Sequence, residues 1–233
     1  MARPALSREE RFSRRTALLE AALRLYREQG TLPTVSNIAK SAGIAKGALY
    51  LWFRSKEEIF VTLLEAAYLE LIARLLPIIE SIDPRPEFAP DSFATHYAKL
   101  LGEVPDVVRL SSVLNSMFRE NLPIESFTRL DRNVGASLSK AGALLEQRFG
   151  CLMRSKGADL LLHTWTLTIG LWIMMDIPDE MKKVLDDPTL ATFRRRFSTE
   201  LKTAVAQLWR GAMIGQQAAS LKVFRESRSG VIQ

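Results

Sequence analysis

The sequence has few of the side chains from which metal and catalytic sites are built. It contains one cysteine, Cys151, and two histidines, His96 and His163. One thiol excludes an internal disulfide, and so few Cys and His side chains leave no zinc site of the usual composition. We find no phosphate-binding glycine loop, nucleophile elbow or paired catalytic carboxylates. The sequence therefore predicts no enzyme, no metal and no cofactor, and Cys151 is interpreted as a buried or surface thiol, with a redox sensor as the alternative.

Long hydrophobic segments are also missing. The longest apolar run, residues 160–175, is shorter than the ~20 residues that cross a bilayer, and it includes a histidine and three threonines. Residues 1–15 are charged where a signal peptide needs an apolar stretch. We therefore interpret residues 160–175 as a buried helix, and we expect a cytoplasmic protein with no membrane partner.

Positive charge is concentrated near the N-terminus. Residues 1–60 hold 11 Lys and Arg against 6 Asp and Glu, whereas residues 61–233 hold 21 against 20. This distribution indicates an anionic partner for the N-terminal quarter, either nucleic acid or a membrane surface. For the arginines at positions 3, 8, 11, 14 and 15 two interpretations stay open: a solvated, partly disordered arm, or an arm that follows phosphates or the minor groove.

Alternation of apolar and polar residues with a period of two is absent, and apolar spacings of three and four recur along the chain. The sequence therefore predicts an all-α fold. We expect a loop at 81–91, where three prolines occur, and a flexible tail at 216–233. The predicted helices cover residues 12–29, 35–42, 46–53, 56 to Pro77 (which stops or kinks the helix), 92–102, 106–121, 124–149, 158–175 and 190–213.

Two short helices lie close together near the N-terminus. Thr34 is suited to capping the first, Gly43 ends it, and the second covers residues 46–53. A helix pair joined by a tight glycine turn is typical of a helix-turn-helix, whose second helix enters the DNA major groove. Ile44, Leu49 and Phe53 can anchor that helix from below, and Ser55 with Glu58 predicts a capping box for the following helix.

Residues 34–60, TVSNIAKSAGIAKGALYLWFRSKEEIF, resemble the DNA-binding signature of the TetR family. The resemblance covers about 50 residues, from the first helix to the start of the fourth. It implies a three-helix DNA-binding domain at residues 1–60, followed at 61–215 by a helical domain that senses a ligand and forms a dimer.

The resemblance also implies a set of DNA contacts. Thr34 and Ser36 would reach phosphates, Lys46 and Gly47 would approach base edges and backbone, and Lys56 would bind a phosphate. Tyr50 and Trp52 would contact a phosphate or a thymine methyl group.

Two positions depart from the family pattern. Ala45 occupies the place of a capping Ser or Thr. The missing side-chain cap costs about 1 kcal/mol of helix stability. Trp52 occupies the place of a His or Tyr, and its indole can only donate a hydrogen bond.

Candidates in the C-terminal domain are weaker. Soft or aromatic residues suit a pocket for an apolar ligand, and equally suit an ordinary core or a dimer contact. The candidate ligand residues are Met117, Phe118, Asn121, His163, Trp165, Trp172 and Met175. The dimer contact is expected from the last two long helices, 158–175 and 190–213, and the candidate residues lie on the second of them: Phe193, Phe197, Leu201, Ala204, Val205 and Leu208.

Together these patterns predict a ligand-responsive repressor that binds a palindromic operator as a homodimer. A small, largely apolar effector would release it from double-stranded DNA. The alternatives are an activator of the same family, a helical carrier or enzyme with an incidental helix-turn-helix, and a peripheral membrane protein that uses its basic N-terminus.

Overall fold

The structure is a computed structural model that describes residues 7–117, 124–152, 154–177 and 179–229, without the side chains of residues 114–117, 179 and 214–229. These ranges contain helices and no strand, which confirms the predicted all-α class. The helices are α1 Arg8–Gln29, α2 Val35–Ser41, α3 Lys46–Leu49, α4 Lys56–Ser81, α5 Ala89–Glu103, α6 Pro105–Met117, α7 Ile124–Arg148, α8 Lys156–Met175, α9 Asp179–Val184, a 3₁₀ helix Pro188–Phe193, and α10 Phe197–Ser229.

The described residues form two compact units. Unit 1 comprises Met1–Ala66 and Val113–Asp131, and unit 2 comprises Ala67–Ser112 and Arg132–Gln233. Unit 1 therefore contains α1 to α3, the first part of α4 and the beginning of α7. Unit 2 contains α5, most of α7, and α8 to α10.

Local side-chain chemistry fixes the ends of the helices in unit 1. The Glu10 amide donates to Ser7 Oγ at 3.1 Å and the Ser7 amide donates to the Glu10 carboxylate at 2.8 Å, which is a complete capping box. Gly30 ends α1 with φ = 67°, where a Cβ would be strained. The Asn37 amide donates to Thr34 Oγ1 at 3.2 Å and so begins α2.

The core of unit 1 is built from the apolar faces of α1 to α4. Tyr26 of α1 meets Phe60 of α4 edge to face, with ring centroids 6.1 Å apart. The same unit contains fully or almost fully buried aliphatic side chains, namely Leu18, Ala22, Ile38, Ala39, Leu49 and Ile59. These buried side chains come from all four helices, so α1 to α4 share one core.

Unit 2 has the larger core. Trp209 of α10 stacks on Phe93 of α5 with centroids 3.5 Å apart and an interplanar angle of 16°, and Phe149 approaches the same indole edge to face at 6.1 Å. All three side chains are fully buried. On the other side of the unit, α7 and α8 cross with Gly142 and Gly157 backbone against backbone.

Several helix bounds differ from the sequence-based prediction. α1 begins at Arg8 because the Ser7 capping box nucleates it, four residues before the predicted start. α4 passes through Pro77 to Ser81, so of the two predicted outcomes the stop is wrong and the kink stays a prediction. α5 begins inside the predicted loop because Pro90 is accommodated in a first turn, where its missing N–H is not needed.

The C-terminal bounds also differ. The predicted helix 190–213 is wrong at both ends, because Asp187 caps a 3₁₀ helix over Pro188–Phe193 and α10 then runs from Phe197 to Ser229. The short α9 was not predicted. Residues 216–229 are helical, and the flexibility of the tail stays a prediction.

Candidate nucleic-acid interface

The core of unit 1 presents α3 outward as a candidate recognition helix. Gly43 adopts φ = 66° in the turn after α2, and the Ile44 amide then donates to the Ala39 carbonyl at 2.9 Å. Leu49 and Phe53, on the inner side of the segment, are 0% and 1% exposed. The regular α-helix ends at Leu49, and residues 50–53 continue as turns in which the Phe53 amide donates to the Leu49 carbonyl at 3.2 Å. The recognition helix is therefore shorter than the predicted 46–53.

Most of the predicted DNA contacts share the outer surface of this unit. Thr34, Ser36, Ala45, Lys46, Gly47 and Tyr50 are exposed, whereas Trp52 and Lys56 are half-buried. A Cβ added at Gly47 would meet nothing within 4 Å, so its backbone is open to a close approach. Leu51, which the prediction did not include, is 75% exposed beside Tyr50 and offers an apolar contact.

The caps decide which polar groups remain available. Thr34 accepts the Asn37 amide with its oxygen, so its hydroxyl proton can still be donated to a phosphate. Ala45 makes no side-chain cap, because its methyl group has no hydrogen-bond acceptor. At the start of α4 the Glu58 amide donates to Ser55 Oγ at 3.3 Å, but the Glu58 carboxylate accepts the Arg54 amide at 2.7 Å in place of the Ser55 amide. The predicted capping box is therefore only half formed.

Sequence reasoning missed four long-range contacts in unit 1. Arg24 donates to Ser41 Oγ at 2.6 Å, and the Arg15 guanidinium lies 5.0 Å from the centre of the Phe53 ring. Two ion pairs bring the start of α7 against this unit: Arg54–Glu125 at 3.7 Å and Arg129–Glu65 at 3.0 Å. No local sequence pattern signals pairs separated by so many residues.

A polar cluster in unit 2 includes one predicted ligand residue. The Trp165 indole N–H donates to the Tyr68 hydroxyl at 3.0 Å, and the two rings meet edge to face with centroids 5.2 Å apart. The same hydroxyl is hydrogen-bonded with Ser111 at 3.0 Å. Burial raises the pKa of Tyr68, and its hydrogen bonds to Ser111 and Trp165 oppose that rise. Tyr68 and Ser111 were not predicted, since nothing local distinguishes them from other helical residues.

Of the other predicted ligand residues, those whose side chains the structure describes make no hydrogen bond or ring contact with this cluster. His163 is exposed and lines a groove of about 440 Å³ between α8 and α10, together with Asp159 and Leu208. Trp172 packs edge to face on Phe197 at 5.1 Å, and its buried indole nitrogen has no hydrogen-bond partner among the described residues. Met175 is half-buried. The side chains of Met117, Phe118 and Asn121 lie outside the described residues.

Two predicted dimer contacts need correction. Leu201 and Val205 are 0% exposed within the core of their own unit, so no partner can contact them without unfolding it. Phe197 is half-buried against Trp172. Ala204 and Leu208 are half-buried, and Phe193 is 64% exposed.

Helix α8 exposes an unpartnered apolar face. Leu162, Ile173 and Met174 are 50%, 52% and 74% exposed, and Gly170 lies between them. By length and composition alone this 20-residue helix could cross a membrane, whereas the apolar run 160–175 considered from the sequence was shorter. Of its most apolar 18-residue stretch, 28% is buried. In the described part of the chain, no three His, Cys, Asp or Glu side chains form a group that could hold a metal ion.

The helix pair α2 and α3, with its buried anchors and exposed polar surface, defines a helix-turn-helix protein of the DNA-binding class. Residues 18–63 match the family model of bacterial regulatory proteins of the tetR family. Residues 65–216 match the model of the tetracyclin repressor-like C-terminal domain. The chain belongs to the TetR family of transcriptional regulators, which confirms the resemblance found in the sequence.

Two curated relatives are similar over part of this chain. The fatty acid metabolism regulator protein of Bacillus subtilis (strain 168) is 31% identical over 87 residues, which cover 37% of this chain and 45% of that protein. The HTH-type transcriptional repressor KstR2 of Mycobacterium tuberculosis is 44% identical over 70 residues, which cover 30% of this chain and 35% of the repressor. The match thus spans less than half the length of either relative.

A solved structure supports the architecture as a whole. The fatty acid degradation regulator FadR from Bacillus halodurans superposes with a TM-score of 0.53 at 18% identity, covering 84% of this chain and 97% of FadR. At this identity the similarity shows a shared fold.

Proposed function

We propose that this regulator is a repressor that binds a palindromic operator as a homodimer and is released by a small, largely apolar effector. The observation that supports this most directly is the exposed surface of α3, with Lys46, Gly47 and Tyr50 held above buried Leu49 and Phe53. Residues 1–60 would form the DNA-binding domain and residues 61–215 the sensing and dimerisation domain. It would act in the cytoplasm.

The proposed DNA contacts fall into two groups. Lys46, Gly47, Tyr50 and the neighbouring Leu51 would face the major groove, where base edges and thymine methyl groups are accessible. Thr34, Ser36, Lys56 and the indole N–H of Trp52 would donate to phosphates on either side. Ala45 would bring only its backbone close to the DNA.

The proposed dimer uses the exposed face of α8 together with the partly exposed residues of α10. Leu162, Ile173 and Met174 would pack against a second copy, beside Ala204 and Leu208. In a twofold dimer of this kind the two recognition helices would enter successive major grooves of the operator, which lie ~34 Å apart on B-DNA. Burial of this face offers a reason for its apolar character that requires no membrane.

The effector is proposed to bind beside the Tyr68 cluster. The Tyr68 hydroxyl reaches α8 through Trp165 and α6 through Ser111, so a ligand polar group could compete for these bonds while an apolar body contacts the aromatic rings. Similarity to a fatty acid metabolism regulator makes an acyl chain a reasonable first probe. The ligand would act through its different affinities for two states of the protein.

The DNA-binding part of the proposal is tested by selection from genomic fragments with the full-length chain. We expect enrichment of inverted repeats, and we expect Lys46→Ala to change which repeat is preferred. Lys99→Ala removes an equally exposed charge from α5 and is the control. A preference that Lys46→Ala leaves unchanged would contradict base contact by Lys46, and no enrichment of any sequence would contradict operator binding.

The effector part is tested with palmitic acid and palmitoyl-coenzyme A as probes. If the proposal holds, one of them lowers operator affinity, and Tyr68→Phe raises the concentration required by about tenfold, the equivalent of one lost hydrogen bond of about 1.4 kcal/mol. Lys99→Ala, at an exposed position of α5, leaves both the cluster and the proposed DNA contacts intact and is the control. Equal responses of the wild type and Tyr68→Phe would remove Tyr68 from the ligand site.

A further inference from the structure

The first two turns of α1 present an exposed basic face. Arg8, Arg11, Phe12 and Arg15 recur at spacings of three and four, so they lie on one side of the helix, which we term the basic stripe. Arg8 and Arg11 are exposed, and Phe12 is 72% exposed. The Ser7–Glu10 capping box fixes the helix at its start, so these side chains are arranged by a regular backbone.

The positive charge of the basic stripe is not neutralised within the described chain. The guanidinium groups of Arg8 and Arg11 have no hydrogen bond or ion pair with any residue that the structure describes. Glu9 and Glu10 point to other sides of the helix, and the Glu10 carboxylate is occupied by the Ser7 amide. An exposed, uncompensated row of guanidinium groups favours an anionic partner.

One contact locates the basic stripe relative to the recognition helix. Arg15, at the inner end of the stripe, lies over the ring of Phe53, which is buried in the segment that follows α3. Arg8 lies seven residues earlier, which at 1.5 Å per residue is about 10 Å further along the axis of α1. The stripe therefore begins against the segment that follows α3 and extends about 10 Å from it along α1.

We propose that the basic stripe binds the sugar–phosphate backbone of the duplex outside the half-site that α3 contacts, with Arg8 and Arg11 on phosphates and Phe12 against the sugars. This inference rests on the proposed operator binding. Flanking DNA is favoured over a lipid surface because Phe12 is the single large apolar side chain on the stripe, too little for an amphipathic membrane helix. A second copy of the same positive stripe would be repelled.

The test compares two duplexes that share one operator, a minimal duplex and one extended by ten base pairs on each side. Fluorescence anisotropy over a salt series gives the affinity and its salt dependence. Wild type is expected to bind the extended duplex more tightly, by about tenfold per head at low salt, with a slope steeper by about two per head. Arg8→Ala/Arg11→Ala should bind both duplexes equally, and Phe12→Ala should lose part of the advantage.

The control is Lys99→Ala/Lys140→Ala, which removes the same charge from exposed positions of unit 2 and should keep the full advantage of the long duplex. Alanine favours helix, and circular dichroism checks that α1 is retained. Tight binding of the minimal operator with no effect of length, or an advantage that survives in Arg8→Ala/Arg11→Ala, would overturn the stripe and leave operator binding intact. Absence of binding to both duplexes would overturn both proposals. Binding to phosphatidylserine vesicles is measured in parallel, and a defect of Arg8→Ala/Arg11→Ala seen only with the vesicles would overturn DNA as the partner.

Discussion

Lys56 illustrates how one side chain in the DNA-binding unit combines two advantages. Its ammonium group belongs to the first turn of α4, where the amide groups of the helix end add positive potential. It is half-buried, so fewer rotamers must be lost when a phosphate is bound. Such a group supports affinity for any duplex and contributes no information about sequence.

Lys56→Ala is therefore expected to weaken binding to operator and random DNA by similar factors. The slope of log affinity against log salt should become shallower by about one for each head, since one phosphate contact is lost. Salt titrations on the two duplexes measure this. Lys56→Arg serves as the conservative control, and a loss confined to the operator would indicate base contact instead.

Tyr97 offers a second test at the residue scale, in the core of unit 2. Its hydroxyl is hydrogen-bonded with Thr168 at 3.0 Å, and burial raises the pKa of Tyr97 well above its ordinary value, more than the Thr168 bond lowers it. The folded protein thus holds this proton at a pH where the unfolded chain has released it. Its contribution to stability is complete below about pH 10 and is lost as the pH rises towards the folded-state pKa.

We expect the free energy of unfolding of wild type to fall above pH 10 more steeply than that of Tyr97→Phe. At neutral pH the variant should be less stable by about 1 kcal/mol, because one buried hydrogen bond is missing. Urea titrations at pH 7, 10 and 11 provide both values. Tyr50→Phe, at an exposed position, is the control, and parallel curves for wild type and Tyr97→Phe would contradict the argument.

In unit 2, α7 and α8 approach each other closely at Gly142 and Gly157. A Cβ added at Gly142 would collide with the backbone of Ala158, and one added at Gly157 would collide with the carbonyl of Gly142. The Gly157 amide also donates to the Glu146 carboxylate at 2.9 Å. Because the obstacles are backbone atoms, rotation of a side chain cannot relieve them.

Gly142→Ala and Gly157→Ala are each expected to lower the free energy of unfolding by about 2 kcal/mol, since the helices must move apart. A Cβ added at Gly135, also on α7, would meet nothing within 4 Å. Gly135→Ala should therefore raise the free energy of unfolding by about 0.5 kcal/mol, because it reduces the backbone entropy of the unfolded chain. Thermal and urea unfolding compare the three variants. Stabilisation at position 142 or 157 would show that the crossing can open freely.

The elements also show which features local sequence patterns specify. Thr34, Gly30 and Gly43 act at their own positions, so α2 and the turn to α3 follow from the sequence. The Ser7–Glu10 box has the same local signature and was overlooked because the arginines around it were interpreted as an arm. α4 does not stop at Pro77 because packing of the surrounding helix outweighs the loss of one backbone hydrogen bond.

Site residues that depend on distant partners could not be predicted in this way. Trp165 was selected as a ligand residue, but its partner Tyr68 is 97 positions away in the sequence. Leu201 and Val205 were assigned to a dimer contact because their spacing marks an apolar face, and spacing alone does not say whether that face meets the same chain or another. Only the packing of α10 against α5 and α8 decides this.

For the whole molecule, the exposed face of α8 makes assembly testable. Leu162→Glu and Ile173→Glu should yield folded monomers in sedimentation, since a charge would be buried in the proposed contact at a cost of several kcal/mol. Leu201→Glu should instead unfold unit 2. Ile124→Glu, at an exposed apolar residue of unit 1, is the control, and dimers that persist in both α8 variants would place the contact elsewhere.

The crossing of Gly142 and Gly157 bears on how this regulator can diversify. A site lined by side chains tolerates substitutions because neighbouring side chains can change conformation or be replaced in turn. Two main chains in direct contact leave no space for an added side chain. Variants with altered specificity at the proposed effector site are thus expected to differ around Tyr68 and Trp165 and to keep both glycines. Mutant libraries that vary this proposed site would gain a higher fraction of folded members by excluding these two codons from randomisation.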